Sequence, residues 1–137
     1  MQKTIQIVRI LKFDIRKYPI SIACFVMIWY LSFCTVPETE MADVPFVDKW
    51  VHIAMYGLTG GIIWMEYLIR HYRVDMRRMV LLAITAPILM SGVIELLQEY
   101  CTSGRRNGDW YDFIANTLGV LLAAVVGFVY AKGKGKI

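Results

Sequence analysis

The chain is poor in the residues that most often build metal centres and covalent cross-links. Its three cysteines, Cys24, Cys34 and Cys101, form no CxxC pair and offer no metal spacing, which argues against a zinc module or a disulfide framework. Only two histidines are present, and one imidazole among carboxylates is a weak transition-metal set. No Ser or Cys stands near His52 in a recognised nucleophile pattern. Low-complexity tracts, internal repeats and a soluble targeting signal are also missing. No metal, no cofactor and no nucleic-acid partner is expected.

Apolar residues are what the chain has in excess. They make up 58% of 137 residues, with a mean hydropathy of +0.51, against about 45–50% for an ordinary soluble domain even counting Gly. A membrane protein of one small domain follows.

Residues 1–17 alternate Lys3, Arg9, Lys12, Arg16 and Lys17 with Ile5, Val8, Ile10, Leu11 and Ile15, which suits an amphipathic helix on a membrane surface. Residues 18–131 form the membrane domain, and 132–137 are a short basic tail expected to be disordered. The apolar run Tyr18–Val36 is of spanning length. It is longer than a typical signal-peptide core, and no A-x-A follows it, so it reads as a retained helix ended by Pro37. An acidic loop occupies residues 37–47. The second span is placed at about Asp48–Ile69, the third at about Met79–Tyr100 and the fourth at about Asp112–Tyr130. Pro87 and Gly92 lie inside the third, where a kink is expected. The fold class is therefore all-α: a four-transmembrane-helix, up-and-down bundle.

Basic residues set the orientation. Of fifteen Lys and Arg, five fall in residues 1–17, four in 70–78 and three in 132–137. The positive-inside bias predicts both termini on the cytoplasmic side. The opposite side keeps Lys49, Arg105 and Arg106 among Glu38, Glu40, Asp43, Asp48, Glu99, Asp109 and Asp112.

Ionisable groups within a span cost roughly 2.5–3.5 kcal/mol each near mid-helix on insertion scales. Asp48, Lys49, His52 and Tyr56 nonetheless open the second helix, and His52 and Tyr56 share one face at four-residue spacing. Glu95, Gln98 and Glu99 share a face at the outer end of the third. Asp112 is the expected N-cap of the fourth, with Asn116 one turn further in. His52, Glu95 and Asn116 would each lie roughly 6–8 Å below the outer rim. All these residues can converge beneath the loop that supplies Arg105 and Arg106. At the cytoplasmic end, Glu66 is expected to pair with Arg70 at i+4.

These motifs, D-K-x-x-H-x-x-x-Y at Asp48–Tyr56, E-x-x-Q at Glu95–Gln98, and R-x-x-x-x-x-D-x-x-x-N-x-x-G at Arg106–Gly119, resemble those of the VanZ-like membrane proteins. The resemblance covers about residues 47–127. Asp109 departs from it, since a Ser is frequent there. The resemblance implies a protein of the bacterial cytoplasmic membrane associated with susceptibility to the glycopeptide teicoplanin, and it implies no molecular activity.

Three functional expectations follow. Arg binds phosphate or carboxylate bidentately, so the outer site is expected to bind an anionic envelope lipid, a lipid-linked cell-wall precursor or a lipoglycopeptide. Alternatively, His52 acts as a general acid or base on lipid phosphates or related esters, oriented by Glu95 or Asp112; a metal variant would join His52 to Asp48, Glu95 or Glu99. In the third reading the polar groups satisfy one another and only fix the bundle. Gly119, Ala123 and Gly127 form a small-residue stripe for close helix approach within the chain or between copies. Trp50 and Trp110 suit an interfacial belt, with Trp110 also placed to stack on a sugar or glycopeptide ring.

Overall fold

The computed structural model describes residues 1–5, 15–34, 46–104 and 108–137. Every regular element among them is helical. A single 3₁₀ turn, Ile15–Lys17, precedes α1 (Pro19–Phe33), α2 (Val47–Arg70), α3 (Met76–Cys101) and α4 (Trp110–Gly133). Of these, α3 and α4 are long and apolar enough to cross a membrane. At 24 residues, α2 is as long as α4 but less apolar, because it carries Asp48, Lys49, Glu66 and Arg70. The apolar part of α1 is 15 residues, short of the expected run: Tyr18 precedes Pro19, and the backbone is already extended at Cys34. Residues 2–5 are helical, and most of the expected amphipathic segment lies outside the described residues.

Helices α2 and α4 form the main seam, and small residues explain how closely they meet. A Cβ at Gly119 would collide with the Ile53 carbonyl and come within 2.9 Å of the Gly57 nitrogen. At Gly127 it would enter the Trp64 indole, and one at Gly60 would lie 2.8 Å from the Ala123 Cβ. The stripe Gly119, Ala123, Gly127 is therefore spent on contact with α2 inside the chain. Gly61 meets nothing and instead borders an apolar groove of about 860 Å³ shared with Leu122 and Val126.

Two apolar clusters fill the interior. Ile28, Tyr56, Ile94 and Val120 pack near the end that carries Lys49, hereafter the polar end. Tyr18, Ile63, Trp64, Tyr67, Met79 and Ala131 pack toward the other, basic end.

The expected irregularity in α3 is a wide turn. Residues 80–85 form one π-helical turn, in which the Ala86 N–H donates to the Leu81 carbonyl five residues back. It falls directly before Pro87, whose ring cannot supply an N–H and crowds the preceding turn.

The tail is ordered, against expectation. Gly135, at φ 69°, sits just past α4. Lys136 N–H donates to the Ala131 carbonyl and Gly135 N–H to that of Lys132, a Schellman end that needs a left-handed residue at this position. Lys136 Nζ then caps α2, donating to Leu68 O at 2.6 Å and His71 O at 3.1 Å. Its own carbonyl accepts from Val74 N–H at 2.9 Å.

Candidate functional site

The polar end is built from Lys49 outward. Its ammonium donates to Asp48 Oδ2 at 2.8 Å, Asp109 Oδ2 at 2.8 Å and Asp112 Oδ1 at 2.5 Å. The last two join α2 to the start of α4, about two helical turns or more before Gly119. One turn deeper, His52 Nδ1 meets Asn116 Oδ1 at 2.9 Å. That oxygen only accepts, so Nδ1 carries the proton. His52 Nε2 faces Asp112 Oδ2 at 3.6 Å. The Asn116 amide goes on to donate to Ser91 Oγ on α3 at 2.7 Å. One chain of polar contacts thus crosses α2, α4 and α3.

Glu95 and Glu99 hold the descending loop against α3. The Asp109 N–H donates to Glu95 Oε2 and the Gly108 N–H to Glu99 Oε2, both at 2.9 Å. Gly108 is needed for this: a Cβ there would lie 2.5 Å from the Glu95 carbonyl oxygen and 3.0 Å from the Glu99 Cβ. A cleft of about 270 Å³ opens between the loop and α3, bordered by Glu95, Glu99, Asp109, Leu96, Tyr100 and Trp110. Glu95 is 3% exposed, yet its Oε1 has no hydrogen-bond partner.

Asp109 rather than Asp112 is the N-cap of α4. Its carboxylate accepts from Tyr111 N–H at 2.8 Å and simultaneously binds Lys49, while Asp112 lies within the first turn. The Lys49 hydrogen bond holds the Asp109 carboxyl below its ordinary 3.8.

The expected residues therefore divide. Asp48, Lys49, His52, Asp112 and Asn116 form one network, and Glu95 joins it through the Asp109 backbone. Tyr56 is 2% exposed and packs in the core beneath the network. Gln98 turns away, donating to the Ser32 carbonyl of α1 at 2.7 Å. Arg105 and Arg106 lie outside the described residues. Among the described residues no group of three His, Cys, Asp or Glu is arranged to hold a metal ion. Trp110 stands at the cleft rim with its ring edge-on to Phe113 at 5.9 Å.

Two participants escaped the sequence reading. Ser91, wholly buried, links Asn116 to α3, and its only signal was a small polar residue one turn before Glu95. At the basic end the missed group is the buried Ser21, whose N–H donates to Glu66 at 2.8 Å, so Glu66 serves the start of α1 rather than the expected Arg70.

Compared with protein-family models, curated proteins and solved structures, the chain matches none. What the fold defines is an all-helical chain with two helices long and apolar enough to cross a membrane.

Proposed function

We propose that this is a VanZ-like integral membrane protein whose polar end faces the outside of the bacterial cytoplasmic membrane. There it binds the charged headgroup of an envelope amphiphile and so influences glycopeptide susceptibility. In this reading four spans leave both termini in the cytoplasm, in keeping with the twelve Lys and Arg that fall in residues 1–17, 70–78 and 132–137 of the sequence. The ligand is an anionic envelope lipid, a lipid-linked precursor or a lipoglycopeptide, with Arg105 and Arg106 supplying the positive charge.

The supporting observation is the Glu95 cleft. Lys49, Asn116 and Ser91 are satisfied within the chain, as a scaffold requires, but a buried carboxylate oxygen beside an open cleft is not. Interhelical polar contacts in membranes average only about 0.6 kcal/mol, a small return for burying this many acids.

Native mass spectrometry of the purified protein tests the proposal. Wild type should retain a phosphate-bearing amphiphile that Arg106→Ala loses while keeping its helical circular dichroism. Equal retention by both proteins overturns it.

A catalytic reading draws on one observation, the placement of His52 Nε2 toward Asp112 with Nδ1 fixed by Asn116. The buried Ser91 hydroxyl, held by Asn116, is no nucleophile for it, so water would have to attack. Turnover of a lipid phosphate, abolished by His52→Gln, would displace binding as the activity.

A further inference from the structure

The described lining of the cleft is acidic. Glu95, Glu99 and Asp109 border it, no described Lys or Arg does, and the nearby Lys49 ammonium is shared among three aspartates. Burial of a carboxylate oxygen without a donor is costly. Glu95 Oε1 is such an oxygen, and the group that satisfies it must bring an N–H or O–H.

We infer that the cleft takes the primary ammonium of a lipid headgroup, with Glu95 Oε1 accepting its hydrogen bond and Glu99 and Asp109 supplying further negative charge. A primary ammonium has three N–H donors on a compact cation. A quaternary ammonium has none and leaves Glu95 unsatisfied. The volume of about 270 Å³ admits a small polar headgroup and excludes a bulky glycopeptide core. Its rim identifies the source. Leu96, Tyr100 and Trp110 are 47%, 79% and 63% exposed, an apolar and aromatic border of the kind found where a bilayer meets water. The occupant thus enters sideways from the lipid, with its amine leading.

This inference rests on the amphiphile-binding reading and specifies the other half of the headgroup. A phosphate-bearing lipid with a free amine, of the phosphatidylethanolamine kind, meets both requirements.

The full-length protein in nanodiscs of equal parts phosphatidylethanolamine, phosphatidylcholine and phosphatidylglycerol tests it. Lipids still bound after detergent extraction are counted by native mass spectrometry. Wild type should retain the ethanolamine lipid roughly tenfold over the choline lipid, the scale of one charge-assisted hydrogen bond. Glu95→Gln should bring the two level. Glu95 and Glu99 each also accept a loop N–H, from Asp109 and Gly108, and Gln keeps an accepting oxygen in both. The exposed Glu99→Gln should lower the preference several-fold, with helical circular dichroism at the wild-type level showing that both variants are folded. Equal retention of all three lipids by wild type, or a preference for the glycerol lipid that Glu95→Gln and Glu99→Gln leave intact, overturns the ammonium assignment and leaves lipid binding standing. Retention of none overturns both.

Discussion

Two buried glutamates, one at each end of the bundle, are built alike. Glu66 on α2 receives the Ser21 N–H at the start of α1; Glu95 on α3 receives the Asp109 N–H at the start of α4. Each thus feeds a carboxylate oxygen to a helix N-terminus, where free N–H groups and the helix dipole both favour negative charge. Each keeps a second oxygen without a hydrogen-bond partner. The difference is what surrounds that second oxygen. Glu66 lines neither of the two cavities described above, and the equally buried Ser21 hydroxyl sits on the residue it already binds. Glu95 borders a cleft that opens to the surface. The same local device therefore lies away from the described cavities at one end and leaves an unpartnered acceptor on a cleft-lining residue at the other, where the proposed headgroup would bind. Burial alone would not have told the two apart.

The comparison can be broken most severely through the seam that supports both ends. Gly119→Leu inserts a side chain where even a Cβ meets the α2 backbone. We expect a loss of about 3 kcal/mol or more of stability, seen as a collapse of the folded fraction on thermal unfolding in detergent. Gly61→Leu, facing open space, should keep the protein folded.

Glu66→Ala separates the two glutamates. It should cost about 1–3 kcal/mol, the penalty for stranding a buried N–H, measured by the same unfolding, while lipid retention per folded molecule stays at the wild-type level. A parallel loss of retention would show that the basic end also contributes to the site.

Acid should act on the polar end alone and most gently. The folded Asp109 carboxyl lies below its ordinary 3.8 because Lys49 binds its charged form. The stability it contributes is complete above that ordinary value and is lost as pH falls through the lower, folded value. Unfolding midpoints should therefore be level from neutral pH down to about 4 and decline below it. Asp109→Asn should flatten that decline.

Much of the fold could be read from the chain, and the reasons differ by element. Runs of apolar residues located all four helices to within a few residues, since each must bury or shield its backbone. Spacing by four put Asn116 one turn beyond Asp112, and counting along α2 put His52 at the depth of Asn116; these two do meet across α2 and α4. Partners set by helix rotation were beyond it. Whether Gln98 faces Asn116 or α1, and whether Glu66 turns to Arg70 or Ser21, depends on how the glycine seam and the wide turn in α3 set the faces. Ser91 was hidden for the same reason. The capping role of Asp109 turns on a loop geometry that its neighbours in sequence do not encode, and the ordered tail depends on one lysine reaching α2.

The wide turn at residues 80–85 sets the phase of everything that follows it in α3. A turn closed over five residues instead of four carries one extra residue, which in an α-helix corresponds to a rotation of about 100°. Were that turn to tighten to an ordinary α turn with every residue kept, Ser91, Glu95 and Glu99 would swing together by that angle round the helix, whereas removing one residue as it tightens would leave them facing as they do. An apolar stretch with no polar chemistry of its own thus decides the direction in which the acids on α3 point.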